Sequence, residues 1–246
     1  MIIQSLTNPK VKHIIHLHTK TYRYEHRQFI AQGLKTCISL MQGGYQLHSI
    51  YLNQETYERH GDNFPTDGIV IVTDAVIDKI STTMTPSGVV AVFEMPENKA
   101  VATGNAIALY NVQDPGNLGT LIRTAAAMNI KTVYLIEGVD PYNPKVIQAT
   151  AGTIAMVNVV QTKWADFKEL CKNNKTCALV VNDGKKPDEI DLKSSILIIG
   201  NESQGLPEEI INDCDTQMTI PMPGNTESLN AAVAGSIAMY LKNKEQ

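Results

Sequence analysis

IPMPGNTESLNAAVAGSIAMYL, residues 220–241, joins the end of a strand, a loop rich in Gly, Pro and Asn, and a long apolar helix. Two prolines stiffen the exit from the strand, and the Gly-Asn pair at 224–225 permits a turn with positive φ. The helix is predicted to begin near Ser228 and to pack closely, because small residues recur in it at three- and four-residue spacing. These small residues are Ala231, Ala234, Gly235 and Ala238. The stretch predicts the floor of a ligand site; the alternative is a generic loop before a closing core helix.

Strands and helices alternate through the part of the chain that leads to this stretch. Apolar strand candidates lie at residues 106–110, 132–136, 156–160, 178–181, 196–199 and 217–220. Helices are predicted between them, and continuous apolar strands that alternate with helices indicate a parallel sheet covered on both faces. Such sheets bind ligands beyond the carboxyl ends of their strands, so we expect the functional residues in the segments that follow the strands.

The first hundred residues form a separate α/β pattern with shorter elements. One helix is predicted from Pro9 to about residue 20. Strand candidates follow at 29–31, 48–52, 69–72 and 89–93. A chain of 246 residues favours two domains, and a stretch poor in large apolar residues predicts a linker between them. We therefore predict an N-terminal domain at 1–97, a linker at 98–104 and a second domain at 105–246.

The net charge of −4 hides an uneven distribution along the chain. Residues 1–60 hold seven Lys/Arg against three acids, a balance of +4, so the remainder carries −8. All six histidines also lie in residues 1–60, and no acid precedes Glu25. Basic residues that follow one another closely are typical of a surface that binds a polyanion such as RNA; the alternative is a solvated helix face. The predicted RNA contacts are Lys10, Lys12, Lys20, Arg23 and Arg27.

Composition and cysteine spacing argue against several classes of protein. No apolar run reaches membrane-spanning length, and the start MIIQSLTNPKVK lacks the apolar core of a secretory signal. The four cysteines are scattered, with no CxxC pair and no nearby histidines, which argues against a zinc site and a disulfide framework. We therefore expect a cytoplasmic protein with no metal ion and no membrane partner.

Three of the predicted strand ends carry unusual sequences. After the first strand comes NVQDPGNLGTLIRTAAAM, in which Asn117 is placed to cap a helix and Arg123 points away from the apolar stripe. The strand at 196–199 is followed by GNESQGL, where two glycines bracket Glu202. The third segment is the opening stretch. Neither the G-x-G-x-x-G pattern nor the P-loop pattern is present, so the common dinucleotide and nucleoside-triphosphate sites are not predicted.

Together the three segments resemble the motifs of the SpoU (TrmH) family of RNA ribose 2′-O-methyltransferases, in the SPOUT class. The resemblance covers residues 105–242 and rests on the order and spacing of NxxDPGNLG with Arg123, GNE with GL, and IPM with SLN. The N-terminal region resembles the substrate-binding domain of the family, which is similar to a ribosomal protein that binds kinked RNA. Its matching segments are SLTNPKVKHI, RQFIAQGLK and TPSGVVAV.

The resemblance implies a deep trefoil knot at the carboxyl end of the sheet, a homodimer formed through the C-terminal domain, and S-adenosylmethionine as the cofactor. By their positions in the motifs, the residues implied to line the cofactor site are Gly200, Ile220, Met222, Ser228 and Leu229. The residues implied to form the catalytic cluster are Asn117, Arg123, Glu202 and Asn230. Structural roles are the alternatives for three of them: Asn117 as a helix cap, Glu202 as an acceptor for backbone amides, and Asn230 as a tie to a neighbouring loop.

The implied reaction is an in-line attack of a ribose 2′-hydroxyl on the sulfonium methyl group, with loss of the hydroxyl proton. Arg123 stays protonated at ordinary pH, so we assign it to holding the substrate phosphate or the 2′-oxygen. The proton acceptor stays open among Glu202, Asp114 and water. Structured rRNA is favoured as the substrate because the chain carries a separate basic N-terminal domain. The alternatives are a tRNA substrate, a small-molecule methyltransferase, and a catalytically idle RNA-binding or ribosome-assembly factor.

The chain departs from the family pattern at a few positions. Gln148 and Thr150 replace the Arg and Ser that many relatives carry in the segment KVIQATAGT, and Gln32 replaces an acid near the N-terminal segment. Loss of the Arg removes a cation that would face RNA, so this change bears on the identity of the target more than on the chemistry.

Overall fold

The computed structural model of the protein describes residues 2–97, 105–224 and 226–243. It divides into two compact units, Met1–Glu97 with Asp140–Ala155, and Asn98–Val139 with Met156–Gln246. The predicted linker and residue 225 of the predicted turn lie outside the described residues. The predicted domain boundaries stay a prediction, and the segment Asp140–Ala155, assigned from the sequence to the second domain, lies in the first unit.

A mixed four-stranded sheet organises the first unit. Its strands are β1 (Gln28–Gln32), β2 (Leu47–Leu52), β3 (Ile69–Ile71) and β4 (Val89–Glu94). They are ordered β1-β4-β2-β3, with β4 antiparallel to both neighbours and β2 parallel to β3. The helices of this part of the chain are α1 (Pro9–His16), α2 (Lys20–His26), α3 (Leu34–Gln42), α4 (Gln54–His60) and α5 (Asp74–Ile80). Apolar side chains of α1 and α5 pack against the sheet and give this unit its own core.

The helix predicted from Pro9 to about residue 20 is shorter in the structure, and a tight corner separates it from a second helix, α2, for which there was no prediction. Helix α1 ends at His16, and the next two carbonyl oxygens, of Leu17 and His18, accept hydrogen bonds from Nη1 of Arg23, both at 2.9 Å. Arg23 thus satisfies carbonyl groups that a continuing helix would have bonded itself. The predicted start at Pro9 is confirmed and the predicted end is wrong by about four residues, because the chain turns at this corner before α2 begins.

A parallel six-stranded sheet organises the second unit. Its strands are β5 (Ala106–Tyr110), β6 (Thr132–Ile136), β7 (Asn158–Thr162), β8 (Lys175–Leu179), β9 (Ser195–Ile199) and β10 (Thr216–Met218). They are ordered β10-β8-β9-β5-β6-β7, and every neighbouring pair is parallel. All residues of β6 and of β9 are buried, as expected for strands covered on both faces. The predicted α/β class with a parallel sheet is confirmed.

Helices follow most of the strands in this half of the chain. In chain order they are α6 (Pro115–Ala127), α7 (Pro144–Thr150), α8 (Trp164–Leu170), α9 (Glu208–Asn212) and α10 (Ala231–Asn243). Helix α7 belongs to the first unit, where it packs against β1, and the other helices named here belong to the second. Within the described ranges no helix is both long enough and apolar enough to cross a membrane.

Helix α10 packs against α6 and β9 through its small residues. A Cβ on Gly235 would lie 2.5 Å from Cδ2 of Leu121 and 2.9 Å from Cδ1 of Ile199, so this close approach depends on glycine. The small-residue spacing therefore marks a packing face, as predicted. Another face of the helix exposes the apolar residues Val233, Ile237 and Tyr240.

A buried lysine fixes the end of α10. Lys242 is 3% exposed, and its Nζ donates to the carbonyl oxygens of Leu192, Lys193 and Ser195 at 2.8, 3.1 and 2.6 Å. Burial lowers the pKa of the Lys242 ammonium from 10.5 to about 8. The side chain ties the last helix to the segment that leads into β9.

Candidate functional site

Three loops meet at the carboxyl ends of strands in the second unit. They are residues 111–114 between β5 and α6, residues 200–206 after β9, and the described residues 219–224 and 226–230 between β10 and α10. Strands β5 and β9 are parallel neighbours, so the loops that follow them lie at the same edge of the sheet. Nδ2 of Asn201 donates to the carbonyl oxygen of Asn111 at 2.8 Å and joins the first two loops directly.

Glu202 lies between these loops as the acceptor of several hydrogen bonds. Its Oε1 accepts the backbone N–H of Asp114 at 3.0 Å and Nδ2 of Asn117 at 3.1 Å. Its Oε2 accepts the backbone N–H of Gln113 at 3.2 Å. The carboxylate therefore ties the loop after β9 to the start of α6.

Asn117 extends this contact to the third loop. A carboxylate only accepts hydrogen bonds, so Asn117 must turn its Nδ2 toward Glu202. This orientation leaves Oδ1 of Asn117 to accept Nδ2 of Asn230 at 3.1 Å. One chain of side chains, Glu202–Asn117–Asn230, thus connects all three loops, and the structure brings together three of the four residues predicted for catalysis.

Asn230 also defines the start of α10. Its Oδ1 accepts the backbone N–H groups of Ala232 and Val233 at 2.8 and 3.2 Å. These contacts are those of an N-cap, so the helix begins at Ala231. The prediction of a start near Ser228 is wrong by three residues, because Asn230 caps the helix.

The start of α6 differs from its prediction as well. The helix begins at Pro115, and its N-cap is Asp114, whose Oδ1 accepts the backbone N–H of Asn117 at 2.8 Å. The prediction that Asn117 caps the helix is therefore wrong. Because the Asn117 side chain does not cap the helix, it can form hydrogen bonds with Glu202 and Asn230.

The loop after β9 forms a compact turn. The backbone groups of Asn201 and Gly205 bond each other twice at 3.0 Å, and Oδ1 of Asn201 accepts the N–H groups of Ser203 and Gln204. A Cβ on Gly200 would lie 2.4 Å from the carbonyl carbon of Gly205. Glycine is required at that position because the contact is with backbone atoms, which have no rotamer to change. Sequence reasoning assigned no role to Asn201, although its place inside the second motif was a signal for one.

The surroundings of Glu202 favour its charged form. Burial alone raises the pKa of the carboxyl, but hydrogen bonds from the Asn117 amide and from the backbone N–H groups of Asp114 and Gln113 outweigh it. The pKa of Glu202 therefore lies below its ordinary value of 4.5. A carboxylate held ionised by several donors is a weak base. These contacts favour Glu202 as an acceptor for backbone amides over Glu202 as the proton acceptor.

A cleft of about 220 Å³ opens beside the loop after β9. Its lining contains all the residues expected at the cofactor site, namely Gly200, Ile220, Met222, Ser228 and Leu229. Glu202 also lines it, so the cleft borders the hydrogen-bonded loops. The end of β8 and the residues beyond it add Leu179, Val180 and Val181. Sequence reasoning missed these because they reach the cleft only through the position of β8 beside β9.

The cleft combines apolar walls with the backbone of the glycine-containing loop. Apolar walls of this kind suit a flat ring system, and backbone N–H and C=O groups suit its polar edge. Within residues 2–97, 105–224 and 226–243, no three His, Cys, Asp or Glu side chains come together in an arrangement that could hold a metal ion.

Arg123 lies outside the hydrogen-bonded cluster. It is exposed on α6, about 9 Å along the helix axis from Asn117. Its guanidinium makes no hydrogen bond or ion pair with the described residues, and it is not part of the cleft lining. The prediction that its side chain points away from the core is confirmed, whereas its catalytic role stays a prediction. An exposed guanidinium without an internal partner is available to an anionic ligand.

The predicted RNA contacts divide into exposed and buried residues. Four are exposed on or next to α1 and α2: Lys10, Lys12, Lys20 and Arg27. Arg23 is only 2% exposed, and its Nε and Nη2 donate to Oδ2 of Asp140 at 3.0 and 2.5 Å within the first unit. The guanidinium is enclosed between Asp140 and the helix corner, which contradicts the prediction that Arg23 contacts RNA.

One departure from the family pattern has a local explanation. Gln32 is buried; its Nε2 donates to Oγ1 of Thr82 and its Oε1 accepts the hydroxyl of Ser81, both at 2.6 Å. An amide suits these partners because it both donates and accepts. Oγ1 of Thr150 donates to the carbonyl oxygen of Ile147 at 2.8 Å, a bond that Ser would make as well, so nothing in the structure explains Thr in place of Ser. Gln148 is exposed on α7, and nothing in the structure explains its replacement of Arg.

Known proteins resemble this chain over different lengths. RlmP of Bacillus subtilis (strain 168), a 23S rRNA (guanosine(2553)-2′-O)-methyltransferase, is 31% identical over 97% of this chain and 97% of its own. The crystal structure of an AdoMet-bound rRNA methyltransferase from Sinorhizobium meliloti is 30% identical, with a TM-score of 0.86, over 98% of this chain and 97% of its own. A structure concerned with 2-OH methylation of C/U34 on tRNA is 31% identical, with a TM-score of 0.52, over 56% of this chain and 92% of its own.

Two family models match consecutive parts of the chain. The model of the MRM3-like substrate binding domain matches residues 8–91, and the model of the SpoU rRNA Methylase family matches residues 104–240. The second match spans more than half of the chain and contains the three loops that meet at the site. With these matches and the geometry of the loops in agreement, the chain belongs to the SpoU rRNA methylase family.

Proposed function

We propose that this protein transfers a methyl group from S-adenosylmethionine to a ribose 2′-hydroxyl of structured RNA, with rRNA as its substrate. The observation that carries the proposal is the cleft lined by the expected cofactor residues, which borders the loops joined by Asn117, Glu202 and Asn230. The relatives support it, because one is named as a 2′-O-methyltransferase of 23S rRNA and another is an AdoMet-bound rRNA methyltransferase.

The cleft suits the cofactor in its chemistry. Gly200, Ile220 and Leu229 would hold it largely through backbone groups, with Met222 and Ser228 nearby. The apolar walls would enclose its adenine ring, and the backbone of the loop after β9 would meet the polar edge of that ring. When bound, S-adenosylmethionine supplies an electrophilic methyl group on a positively charged sulfur.

Catalysis in this proposal depends on positioning and charge. The Glu202–Asn117–Asn230 chain holds the three loops, so the residues around the cleft keep their spacing when RNA binds. Arg123 is permanently charged and exposed; it would hold the substrate phosphate or the 2′-oxygen and offset the negative charge that develops on that oxygen. Because Glu202 is a weak base, the hydroxyl proton would pass to Asp114 or to water.

The N-terminal unit favours rRNA over tRNA as the substrate. The rRNA methyltransferases of B. subtilis and S. meliloti match at least 97% of the chain, whereas the tRNA-related structure matches 56% and leaves much of this chain without a counterpart. The first unit adds the exposed cations Lys10, Lys12, Lys20 and Arg27 for phosphate contacts. The idle RNA-binding alternative is less favoured because all four residues implied in catalysis are present.

The proposal has three further parts. They are a homodimer formed through the C-terminal domain, a deep trefoil knot in that domain, and a cytoplasmic location. The dimer is supported by the apolar face of α10, where Val233, Ile237 and Tyr240 are 48%, 36% and 56% exposed at helical spacing. Free thiols at all four cysteines fit a reducing cytoplasm. Light scattering should give twice the mass of one chain for the wild type and a monomer for Ile237→Glu; a monomeric wild type would remove the dimer from the proposal.

Transfer of labelled methyl from S-adenosylmethionine to purified rRNA and tRNA, from a strain that lacks this protein, tests the proposed activity. We expect label on rRNA at one ribose, mapped by nuclease digestion, and no label after Arg123→Ala. Label on tRNA alone would favour the tRNA alternative. If neither RNA were labelled, calorimetry with the cofactor would decide: binding would point to a small-molecule or assembly-stage substrate, and no binding to an idle RNA-binding protein.

A further inference from the structure

A group of aromatic and imidazole rings lies at the α1–α2 corner and has no part in the proposed reaction. We term it the ring cluster; it consists of His13, His16, Tyr22 and His26. The ring centroids of Tyr22 and His26 are 4.1 Å apart at an interplanar angle of 39°, and those of His16 and Tyr22 are 5.1 Å apart at 70°. His16 and His26 are exposed, whereas His13 and Tyr22 are half-buried. The ring cluster therefore presents two exposed imidazoles on a packed base.

Hydrogen bonds hold the inner rings in place. Nε2 of Gln28 donates to Oε1 of Glu94 at 2.8 Å, so Oε1 of Gln28 faces Nε2 of His13 at 2.7 Å. Nε2 of His13 is therefore the donor, and in the neutral ring Nδ1 accepts the hydroxyl of Tyr22 at 3.0 Å. Tyr22 also packs against the apolar core of the first unit. The base of the ring cluster is thus ordered before any ligand binds.

The buried ion pair of Arg23 fixes the corner that carries the ring cluster. Arg23 bonds the carbonyl oxygens that follow α1 and the carboxylate of Asp140, and the hydroxyl of Tyr24 donates to the same carboxylate at 2.8 Å. Arg23 follows Tyr22 directly in α2, so this helix cannot rotate without breaking these bonds. Arg23 is a positioning residue for the exposed rings.

The helices that carry the ring cluster also carry exposed cations. Lys10, Lys12, Lys20 and Arg27 lie on or next to the same two helices, and Glu25 is the one acid in residues 9–27. Glu94 of the neighbouring strand β4 is engaged by Gln28 and by Nδ1 of His48 at 3.0 Å. Cations beside exposed rings match the two parts of a single-stranded RNA, which are charged phosphates and flat bases.

We propose that the ring cluster stacks against unpaired bases of the RNA substrate while the exposed Lys and Arg side chains on or next to the same helices bind its phosphates. The inference rests on the proposed function and adds to it a surface that contacts bases. Stacking is tolerant of sequence because every base has a π-face. A duplex cannot use this surface in the same way, because its bases already stack on one another. The first unit therefore selects RNA with unpaired bases at this corner.

Fluorescence anisotropy with the full-length protein tests the proposal. The probes are a short unstructured RNA oligonucleotide and the same oligonucleotide annealed to its complement. The pair His16→Ala with His26→Ala removes both exposed rings, and the matched pair His16→Phe with His26→Phe keeps rings but removes the imidazole nitrogens. We expect about tenfold weaker binding of the single strand by the Ala pair and near wild-type binding by the Phe pair, with duplex binding unchanged in both.

Salt dependence and base fluorescence separate stacking from charge. The Ala pair should keep the wild-type slope of log affinity against log salt concentration, whereas Lys10→Ala should reduce that slope by about 0.7 for one lost phosphate contact. A 2-aminopurine base in the oligonucleotide should be quenched by the wild type and the Phe pair only. Melting curves confirm that each variant is folded. The proposal is overturned if the Phe pair binds as weakly as the Ala pair, or if both pairs bind like the wild type.

Failure of this inference is distinguishable from failure of the proposed function, because binding is measured without S-adenosylmethionine. If the wild type methylates rRNA but the Ala pair binds the single strand normally, the stacking surface is refuted alone. If the wild type methylates no RNA while the ring variants behave as expected, the proposed function is refuted and the stacking surface stands.

Discussion

Two regions of the molecule, the α1–α2 corner and the carboxyl end of the six-stranded sheet, have their backbone fixed by different kinds of side-chain contact. In each region, other side chains remain exposed. In the corner a buried ion pair, Arg23 with Asp140, fixes helices that carry exposed charge. At the sheet end a chain of two amides and a carboxylate fixes three loops. Arg123, two turns further along α6, stays exposed without a partner among the described residues. Burial and partners, rather than residue type, decide what each arginine does.

The largest effect on stability is expected for Arg23→Ala. Removing one partner of the buried ion pair leaves the Asp140 carboxylate buried and unpaired, which should lower the free energy of unfolding by about 3–5 kcal/mol. Urea denaturation of the variant and the wild type measures the difference. Arg27→Ala, at an exposed position nearby, is the control and should stay within about 0.5 kcal/mol of the wild type. Equal stability of the two variants would contradict the holding role of Arg23.

Arg123→Ala should have the opposite profile, with a large loss of activity and little loss of stability. We expect kcat for methyl transfer to fall about 100- to 1000-fold, as when one preorganised donor to a developing negative charge is removed. Arg123→Lys is the control, because it keeps the positive charge without the planar fork of donors. Near-normal turnover of the lysine variant would mean that charge alone is sufficient.

Glu202→Gln should have a smaller effect, on the loops at the sheet end. A glutamine must turn its NH2 group toward one of the backbone N–H donors, so we expect a loss of about 1.5–3 kcal/mol, the range for hydrogen bonds to a charged group. The pKa of Glu202 is lowered in the folded state, so this stabilisation is complete above pH 4.5 and is lost as the pH falls through the folded pKa.

Unfolding at neutral pH and at pH values below 4.5 measures this difference. The wild type and Glu202→Gln should converge in acid, and the exposed Glu227→Gln should match the wild type throughout. A difference between wild type and Glu202→Gln that persisted unchanged in acid would mean that the charge of Glu202 is not what holds the loops.

The smallest effect is expected at Lys242. Between its folded pKa of about 8 and its ordinary value of 10.5, the unfolded chain binds more protons than the folded protein, so the free energy of unfolding should rise with pH across this window. We expect a rise of about 1 kcal/mol per pH unit within this window, because the unfolded chain there holds close to one proton more than the folded protein. The rise should be absent in Lys242→Met and present in the exposed control Lys193→Met. A flat wild-type profile would contradict the lowered pKa.

The two regions also differ in how well their structure is predicted from the sequence. The bounds predicted for β5 and β6 agree with the structure, because continuous apolar runs leave few other ways to form a buried parallel strand. The residues of the site loops are also predictable, since positions such as Gly200 meet backbone atoms that only glycine can approach. Constraints of this kind are local and leave a mark in the sequence.

The corner depends on contacts that are distant in the chain, and here prediction from sequence is wrong. Asp140 is 117 residues away from Arg23, and nothing in the segment around it indicated an ion pair. A count of charges cannot separate Arg23 from Lys20 or Arg27, because the deciding quantity is burial. The cap at Asp114 was missed for a related reason: both it and Asn117 are good cap residues, and only the hydrogen bond from the Asn117 backbone N–H distinguishes them.

During synthesis on the ribosome, the two segments of the first unit, residues 1–97 and 140–155, emerge separately, with part of the second unit between them. When residues 1–97 have emerged, Arg23 still lacks Asp140, and β5, α6 and β6 of the second unit emerge before that partner does. We therefore expect the nascent first unit to complete its folding only after the segment Asp140–Ala155 has left the exit tunnel. A chain released at residue 97 should remain partly open and sensitive to proteases, although its four strands are complete.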